Sequence, residues 1–307
     1  MFKVYSTGYR KVAFRQNPFL DIIKFGNVVR KSSTLGTPTT KQTSRYWLAG
    51  LVDAEGCFRI SILKNSSYRE GSNLPQYKIR LYFQISLHIK DIKVLEDMIT
   101  ELGVGRIYKT KSRPDIAEIQ VSSIKDLKAI LEFFEQYPLI TQKYADYELF
   151  KQAYLIISSK QHLTSQGILK LVALKASSNW GLSKDLIKAF PKITPVTRVQ
   201  PNQRIPNGDW LLGFVSGEGS FMLRIIESTT HKLGYQVGLR FQITQHCKDK
   251  LLMENLVEYF QCGYLSCRGD IVDFKVTNFS DIQKTIIPFF DENPLLATRP
   301  FSSYHAK

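Results

Sequence analysis

Cysteine is scarce: only Cys57, Cys247, Cys262 and Cys267 occur in a chain of 307 residues. Cys262 and Cys267 have the wrong spacing for a zinc knuckle. None of the five histidines completes a second Cys/His pair, so a structural zinc is not expected. The thiols read as free cysteines of a reducing compartment. Long apolar runs are also missing. No stretch reaches eighteen apolar residues, so no membrane span is expected. Acids are few, 27 against 42 Lys and Arg, for a formal net charge of +15. That deficit calls for a polyanionic partner, either nucleic acid or an acidic membrane surface. The remaining composition, 43% hydrophobic and 22% charged, is that of a folded chain with one large domain or two modest ones.

Residues 1–45 form a basic N-terminal extension, with nine Lys or Arg and a single acid, Asp21. Its opening, Met1 to Leu20, has four basic residues and no acid, and three readings fit it: a transit peptide, a basic arm, or sequence read through from upstream coding DNA. Beyond it the chain repeats itself. Trp47-Leu48-Ala49-Gly50-Leu51-Val52-Asp53-Ala54-Glu55-Gly56 returns as Trp210-Leu211-Leu212-Gly213-Phe214-Val215-Ser216-Gly217-Glu218-Gly219. Phe83 to Ser86 returns as Phe241 to Thr244, and His88 to Asp91 as His246 to Asp249. Leu102 to Gly105 is echoed by Gln261 to Tyr264, and Tyr137 to Lys143 by Asn293 to Arg299. Five matches in conserved order define an internal duplication. The domains follow: a first half at 46–158, a linker at 159–208 and a second half at 209–307.

Each half reads as helix, two strands, helix, two strands, helix, an α+β unit in tandem. Phe58 to Ile62 and Lys78 to Ser86 alternate as strands, with a Ser-, Asn- and Gly-rich hairpin tip at Leu63 to Gln76. Asp91 to Leu102 carries one apolar helical stripe. Gly105 to Thr110 and Ile116 to Ser122 form a second strand pair, followed by helices at Ile124 to Phe134 and Lys143 to Ile157. The linker contains helices at Ile168 to Ala176 and Ser183 to Phe190, then a Pro-rich tether.

The repeated helices carry the chemistry. Gly50 and Ala54, and again Gly213 and Gly217, are four residues apart, so each pair lies on one face and permits close backbone approach. Both helices end Glu-Gly. The glycine reads as a C′ residue, but a carboxylate there faces the negative end of the helix dipole. Packing the two helices would set Glu55 against Glu218, a repulsion that divalent cations would relieve. Metal at paired carboxylates, with positions open to phosphate and water, is what phosphodiester hydrolysis requires. Asp53 has Ser216 as its counterpart and reads as a cap or surface residue.

Strand alternation separates two faces. Phe58, Ile60, Ile62, Ile79, Leu81, Phe83 and Ile85 point to the core, as do Val237, Leu239, Phe241 and Ile243. Arg59, Ser61, Lys78, Arg80, Tyr82, Gln84 and Ser86 point out, joined by Arg106, Tyr108 and Gln120. The second half presents Arg224, Gln236, Arg240, Gln242 and Thr244, with Arg268 and Lys275, although Met222 and Ile226 are apolar members of that face. Glu118 and Asp273 are its few acids. Arg, Lys and Gln suit base edges in a major groove, which a β-ribbon can enter.

With these nonapeptides, Leu48 to Gly56 and Leu211 to Gly219, the chain resembles the LAGLIDADG homing endonucleases in the single-chain, two-repeat form of fungal mitochondrial introns. The likeness runs from about residue 44 to 299, and Gly167 to Leu171 and Asn179-Trp180-Gly181-Leu182 share it. The resemblance implies a pseudo-twofold pair of αββαββα units whose sheets form a saddle over double-stranded DNA. A monomer acting in the mitochondrion on a long asymmetric site is then expected. Glu55 and Glu218 would bind Mg²⁺, helped by the carbonyls of Ala54 and Gly217, with Ca²⁺ supporting binding without cleavage. Gln245 would orient solvent, its first-half counterpart being Leu87. Lys143 would lie near the scissile phosphates, with Arg299 standing in for a lysine in the second half. Members cut both strands across the minor groove and so promote copying of their intron.

One departure is visible. The block ending at Lys143 continues into a helix, whereas only Pro300 to Lys307 follow Arg299, so the second half is expected to lack its C-terminal brace. The missing brace and the basic arm at residues 1–45 favour an alternative, an intron-RNA maturase or a cleavage-dead nucleic-acid-binding protein. A structural component of a ribonucleoprotein would fit the charge but gives the paired Glu-Gly termini no purpose.

Overall fold

A computed structural model describes residues 44–71, 76–179, 181–232 and 234–292. The first half runs α1 (Arg45–Glu55), β1 (Gly56–Lys64), β2 (Tyr77–His88), α2 (Ile92–Leu102), β3 (Arg106–Thr110), β4 (Arg113–Val121), α3 (Ile124–Gln136) and α4 (Lys143–Ser158). Linker helices α5 (Ser165–Ser177) and α6 (Lys184–Ala189) follow. The second half repeats the order with α7 (Gly208–Glu218), β5 (Gly219–Glu227), β6 (Tyr235–His246), α8 (Lys250–Phe260), β7 (Tyr264–Arg268) and β8 (Ile271–Val276). A helical run at 279–292, with a π-helical segment at Ile282–Ile286, closes the described chain. Most of the basic extension, Trp180 and the block 293–307, Arg299 and the expected missing brace included, lie outside the described residues.

Each half holds one antiparallel four-stranded sheet, ordered β1-β2-β4-β3 and β5-β6-β8-β7. The two orders are the same, as a duplication requires. Each sheet buries one face under its helices. Phe58, Phe83, Phe134, Tyr147 and Phe150 form an aromatic cluster in the first half; Phe221, Phe241, Phe260, Phe274 and Phe290 do so in the second. Such rings supply a large part of the apolar area that a domain of this size must bury.

The inward alternation holds in the first sheet and fails at one end of the second. Ile62 opposes Ile79 near the hairpin tip, and Ile62 is buried because α4 and α5 pack along β1. The equivalent pair, Ile225 and Val237, is 41% and 50% exposed. Val237 is therefore not a core residue among the described residues, because no described helix covers that end of β5 and β6.

Candidate active site

The two motif helices, α1 and α7, touch at backbone distance. A Cβ on Gly50 would run into the Trp210 carbonyl and lie 2.9 Å from Phe214 N. One on Gly213 would run into the Trp47 carbonyl and lie 2.8 Å from Leu51 N. One turn later a Cβ on Gly217 would meet Ala54 Cβ at 2.5 Å. Because both helices end there, this contact brings the final carboxylates together: the same added Cβ would stand 3.2 Å from Glu55 Oε1. Burial, and then the neighbouring Glu55 charge, push the Glu218 carboxyl up to about 7, while Lys143 and a hydrogen bond from Gln245 oppose the rise.

The glycines after the glutamates have another purpose than expected. Gly56 and Gly219 are extended, at φ −73° and −76°, rather than left-handed. A Cβ would lie 2.7 Å from Val52 O in the first and 2.6 Å from Val215 O in the second. They are glycines for space, so that each helix can pass directly into a strand.

Lys143 opens α4 and reaches back to the motif, its Nζ donating to Ala54 O at 3.1 Å. Burial lowers the pKa of its ammonium, while the charges of Asp53, Glu218 and Glu55 hold it up. The site thus has two carboxylates and a lysine converging from α1, α7 and α4. Gln142, one residue earlier, donates its N–H to Asp249 Oδ1 at 2.8 Å, which ties the first half to the second. Asp249 also accepts from the linker residue Gln203, and burial pushes its carboxyl up to about 6.

Asp53 is neither cap nor surface. It is 3% exposed and accepts four hydrogen bonds: from Ile140 N at 3.0 Å, Thr141 N at 3.1 Å, Thr141 Oγ1 at 2.6 Å and Trp210 Nε1 at 2.9 Å. Its partners lie 87, 88 and 157 residues away in sequence, which is why a local pattern missed them.

The polar faces assemble as rows across each sheet. Cys57, Gln84, Gln120 and Arg106 are consecutive partners in one row; Ser220, Gln242, Lys275 and Tyr264 form the equivalent row in the other. Gln84 Nε2 bonds Gln120 Oε1 and Glu118 Oε1, and Ser86 Oγ bonds Glu118 Oε2. Arg59 lies over the Tyr82 ring at 4.5 Å, Ser61 opposes Arg80, and Tyr108 opposes Glu118. Asp273 is fully buried on its row, where Gln242, Thr244, Arg268 and Lys275 all bond it. Lys78, Arg80 and Arg224 form no ion pair among the described residues, Gln236 opposes Ile226, and Arg240 opposes Met222. Three groups were missed. A groove of about 670 Å³ beside Glu55, Cys57 and Arg59 is also lined by Arg113 and by the linker residues Lys175 and Ser183. Lys175 projects from α5, and only the tertiary path of the linker places it there.

The profile of the LAGLIDADG endonuclease family matches residues 48–154 and 211–305, both repeats. The chain belongs to that family. Probable intron-encoded endonuclease 3 of Neurospora crassa is 38% identical over 275 residues, covering 88% of this chain and 50% of the relative. Probable intron-encoded endonuclease 2 of the same organism is 35% identical over 298 residues, covering 89% of this chain and 63% of the relative. The chain thus spans between half and two thirds of the length of these relatives. Among solved structures, I-SmaMI bound to uncleaved DNA target in the presence of calcium ions is 40% identical, with TM-score 0.78, over 83% of this chain and 86% of that one. Two LAGLIDADG halves, each an α+β unit, therefore account for the two sheets and for the meeting of α1 and α7.

Proposed function

We propose that this protein is a site-specific, metal-dependent DNA endonuclease that cuts both strands at the seam between its halves. One observation carries the reading: Glu55 and Glu218 meet at the ends of interlocked helices, with the Lys143 ammonium beside them. Pure binding needs no such costly cluster of buried charge.

The donor set suits a small hard cation. No three His, Cys, Asp or Glu side chains cluster as a cage among the described residues. Two carboxylates are what Mg²⁺ takes when water and substrate phosphate fill its other positions. The close approach at Gly217, where a Cβ would crowd Glu55, keeps that space open. Glu55 and Glu218 would hold the metal, aided by the carbonyls of Gly217 and Ala54, the latter shared with Lys143. When bound, the metal supplies charge stabilisation to the attacking and leaving oxygens. Gln245 holds the Glu218 carboxylate in orientation. Lys143 places a positive charge at the same point, and Arg299 is the candidate for this role in the second half.

The two polar faces would grip the duplex. Arg80 and Arg240, free of acidic partners among the described residues, are the candidates for base edges. Arg59, Lys78, Arg106, Arg224 and Lys275, with the amides of Gln84, Gln120, Gln236 and Gln242, complete the surface. We read the protein as a monomer of the mitochondrion acting in intron homing, since the named relatives are intron-encoded. No described helix is long and apolar enough to cross a membrane.

Incubating the protein and Mg²⁺ with a randomised duplex library, with Ca²⁺ as a binding-only control, tests the reading. Selective double-strand cutting supports it. Binding to DNA or to intron RNA without cutting would replace it by the binding or maturase reading.

Two further outcomes are expected. Arg80→Ala should relax preference at one or two target positions, at about 1–3 kcal/mol of discrimination. A lysine of the N-terminal arm, once truncated, should weaken all sequences alike. Uniform loss for Arg80→Ala in selection-based binding would reassign it to phosphate contact. The second outcome concerns pH. The Glu218 carboxyl titrates at about 7 in the fold against an ordinary 4.5, so the metal-free protein loses that contribution as pH rises through this interval. Divalent metal binds only the charged form and reverses the loss. The gain in melting temperature on adding Mg²⁺ should therefore grow between about pH 6 and pH 8, and Glu218→Gln should flatten it. A wild-type gain independent of pH would argue against Glu218 as a ligand.

A further inference from the structure

The linker does more than join the halves, because it sets a charge beside the first sheet. β1 is the edge strand of that sheet, and α5 packs along it. Lys175, in the last turn of α5, lines the groove of about 670 Å³ together with Glu55, Cys57, Arg59 and Arg113. Gln84, Ser86 and Glu118 line it too, so the groove is continuous with the polar face of the first sheet and reaches the Glu55 end of it. The path of the linker here is fixed by hydrogen bonds. Arg198 Nη1 donates to Asp146 Oδ1 and to Ser177 O, both at 2.8 Å, and its Nη2 donates to Gln142 O at 3.1 Å. Ser177 Oγ donates to Val196 O at 2.6 Å, and Asn179 N donates to Asp146 Oδ1 at 3.0 Å. This clamp ties α4, the end of α5 and the tether together, and Lys175 stands two residues from it.

Lys175 has no counter-ion. It is half-buried, and among the described residues its ammonium forms neither an ion pair nor a hydrogen bond. The neighbouring carboxylates are committed elsewhere: Asp146 to Arg198 and Asn179, and Glu118 to Gln84 and Ser86. Its companion in the groove is a second cation, Arg59, held over the Tyr82 ring. Burial, and then the Arg59 charge, lower the Lys175 pKa, while Cys57 and Asp146 oppose the fall. Taking a cation out of water beside another one, with no carboxylate to meet it, is costly. An anion entering the groove offsets that cost.

We infer that Lys175 binds a backbone phosphate of the DNA target, so that the linker is a third DNA-contacting element beside the two sheets. This rests on the endonuclease reading, which brings a duplex to this face. A lysine suits the role as a compact point charge. Phosphate contacts set the register of a protein on its duplex without reading bases. A register contact this close to Glu55 helps to decide which phosphate meets the carboxylates.

The test uses the full chain, Ca²⁺ and a duplex selected from the randomised library, made as a set in which one phosphate at a time becomes a neutral methylphosphonate. Wild type should lose affinity at least about tenfold at one or two linkages, the scale of a hydrogen bond to a charged group. Lys175→Met should lose as much on the unmodified duplex and be indifferent to those same linkages, while keeping wild-type sensitivity at the others. Its salt slope should fall by about one, with base preference unchanged. Lys175→Arg, which keeps the charge, should keep the wild-type pattern. The DNA-free melt separates binding from structure: Lys175→Met should melt at or above the wild-type temperature, because an uncompensated charge has gone. Wild-type affinity for Lys175→Met, equal sensitivity of both proteins at every linkage, or an altered base preference would overturn the inference. Wild type supplies a second measurement that needs no variant. An amine-acetylating reagent should label Lys175 in the free protein and not in the complex, and equal labelling would overturn the inference as well. A wild type that binds no duplex would end the endonuclease reading and this inference together. Sensitivity to other linkages, with none coupled to Lys175, would end this inference alone.

Discussion

Glu218→Gln should reduce double-strand cutting at least about a hundredfold, the scale of removing one central electrostatic contact, while the protein binds its target as tightly as wild type or more tightly. The substitution keeps shape and removes charge. Phosphodiester cleavage needs stabilisation of both the attacking and the leaving oxygen, and a neutral amide weakens the metal that would provide it. Binding responds oppositely. Glu218 is half-buried beside Glu55, and a phosphate backbone approaching two carboxylates meets repulsion that the glutamine relieves. A supercoiled-plasmid assay beside a Ca²⁺ gel shift separates the two effects. Lys143→Met should also cut slowly, yet retain the melting-temperature response to metal, because the lysine ligates nothing. Linearisation at the wild-type rate by Glu218→Gln would remove Glu218 from the chemistry and end the shared-site mechanism.

Gly213→Ala should be among the most damaging single added methyls among the described residues. Its Cβ would meet the Trp47 carbonyl and Leu51 N, which are backbone atoms of α1 that no rotamer change can move. The helices must separate, and the separation opens the buried Trp47, Leu51, Trp210 and Phe214 contacts around them. Overpacking ordinarily costs about 1–3 kcal/mol, and a clash of backbone against backbone belongs at or above the top of that range. Gly50→Ala should behave alike, since its Cβ would meet Trp210 O and Phe214 N. Gly238→Ala is the control: its added Cβ meets nothing within 4 Å, and the melt should be unchanged or slightly raised. Activity should fall further than stability for Gly213→Ala, because Glu55 and Glu218 part as the helices do. A melt of Gly213→Ala equal to that of Gly238→Ala would show that the seam is looser than the structure indicates.

The repeat, the two nonapeptides and strand alternation were enough to place both sheets, both motif helices and the polar faces. These features are written locally: small residues four apart define a helix face, and period two defines a sheet face. Helix ends were read to within a few residues for the same reason. The pairing of Glu55 with Glu218 was legible too, because duplication of a sticky helix implies that the copies meet. Ile225 and Val237 show where such reading stops. Their alternation is correct, but burial depends on whether another element covers the strand end, and period two carries no information about that.

The sequence by itself determined which residues repeat, which faces are apolar and which carboxylates come as a pair, since each depends on spacing along a few turns of chain. Only the tertiary structure decided what those residues touch. Asp53, with Ser216 as its counterpart, read as a cap or surface residue until the fold brought Ile140, Thr141 and Trp210 to its carboxylate. Lys175 was an ordinary linker lysine until α5 carried it to the groove at Glu55. Gly56 and Gly219 passed for helix stops until Val52 O and Val215 O showed that the room for a side chain was already taken. In each instance the deciding neighbour belongs to another element or another turn of the path. Short-range periodicity cannot report on it, because a hydrogen bond or a clash is set by distance in space and not by separation along the chain.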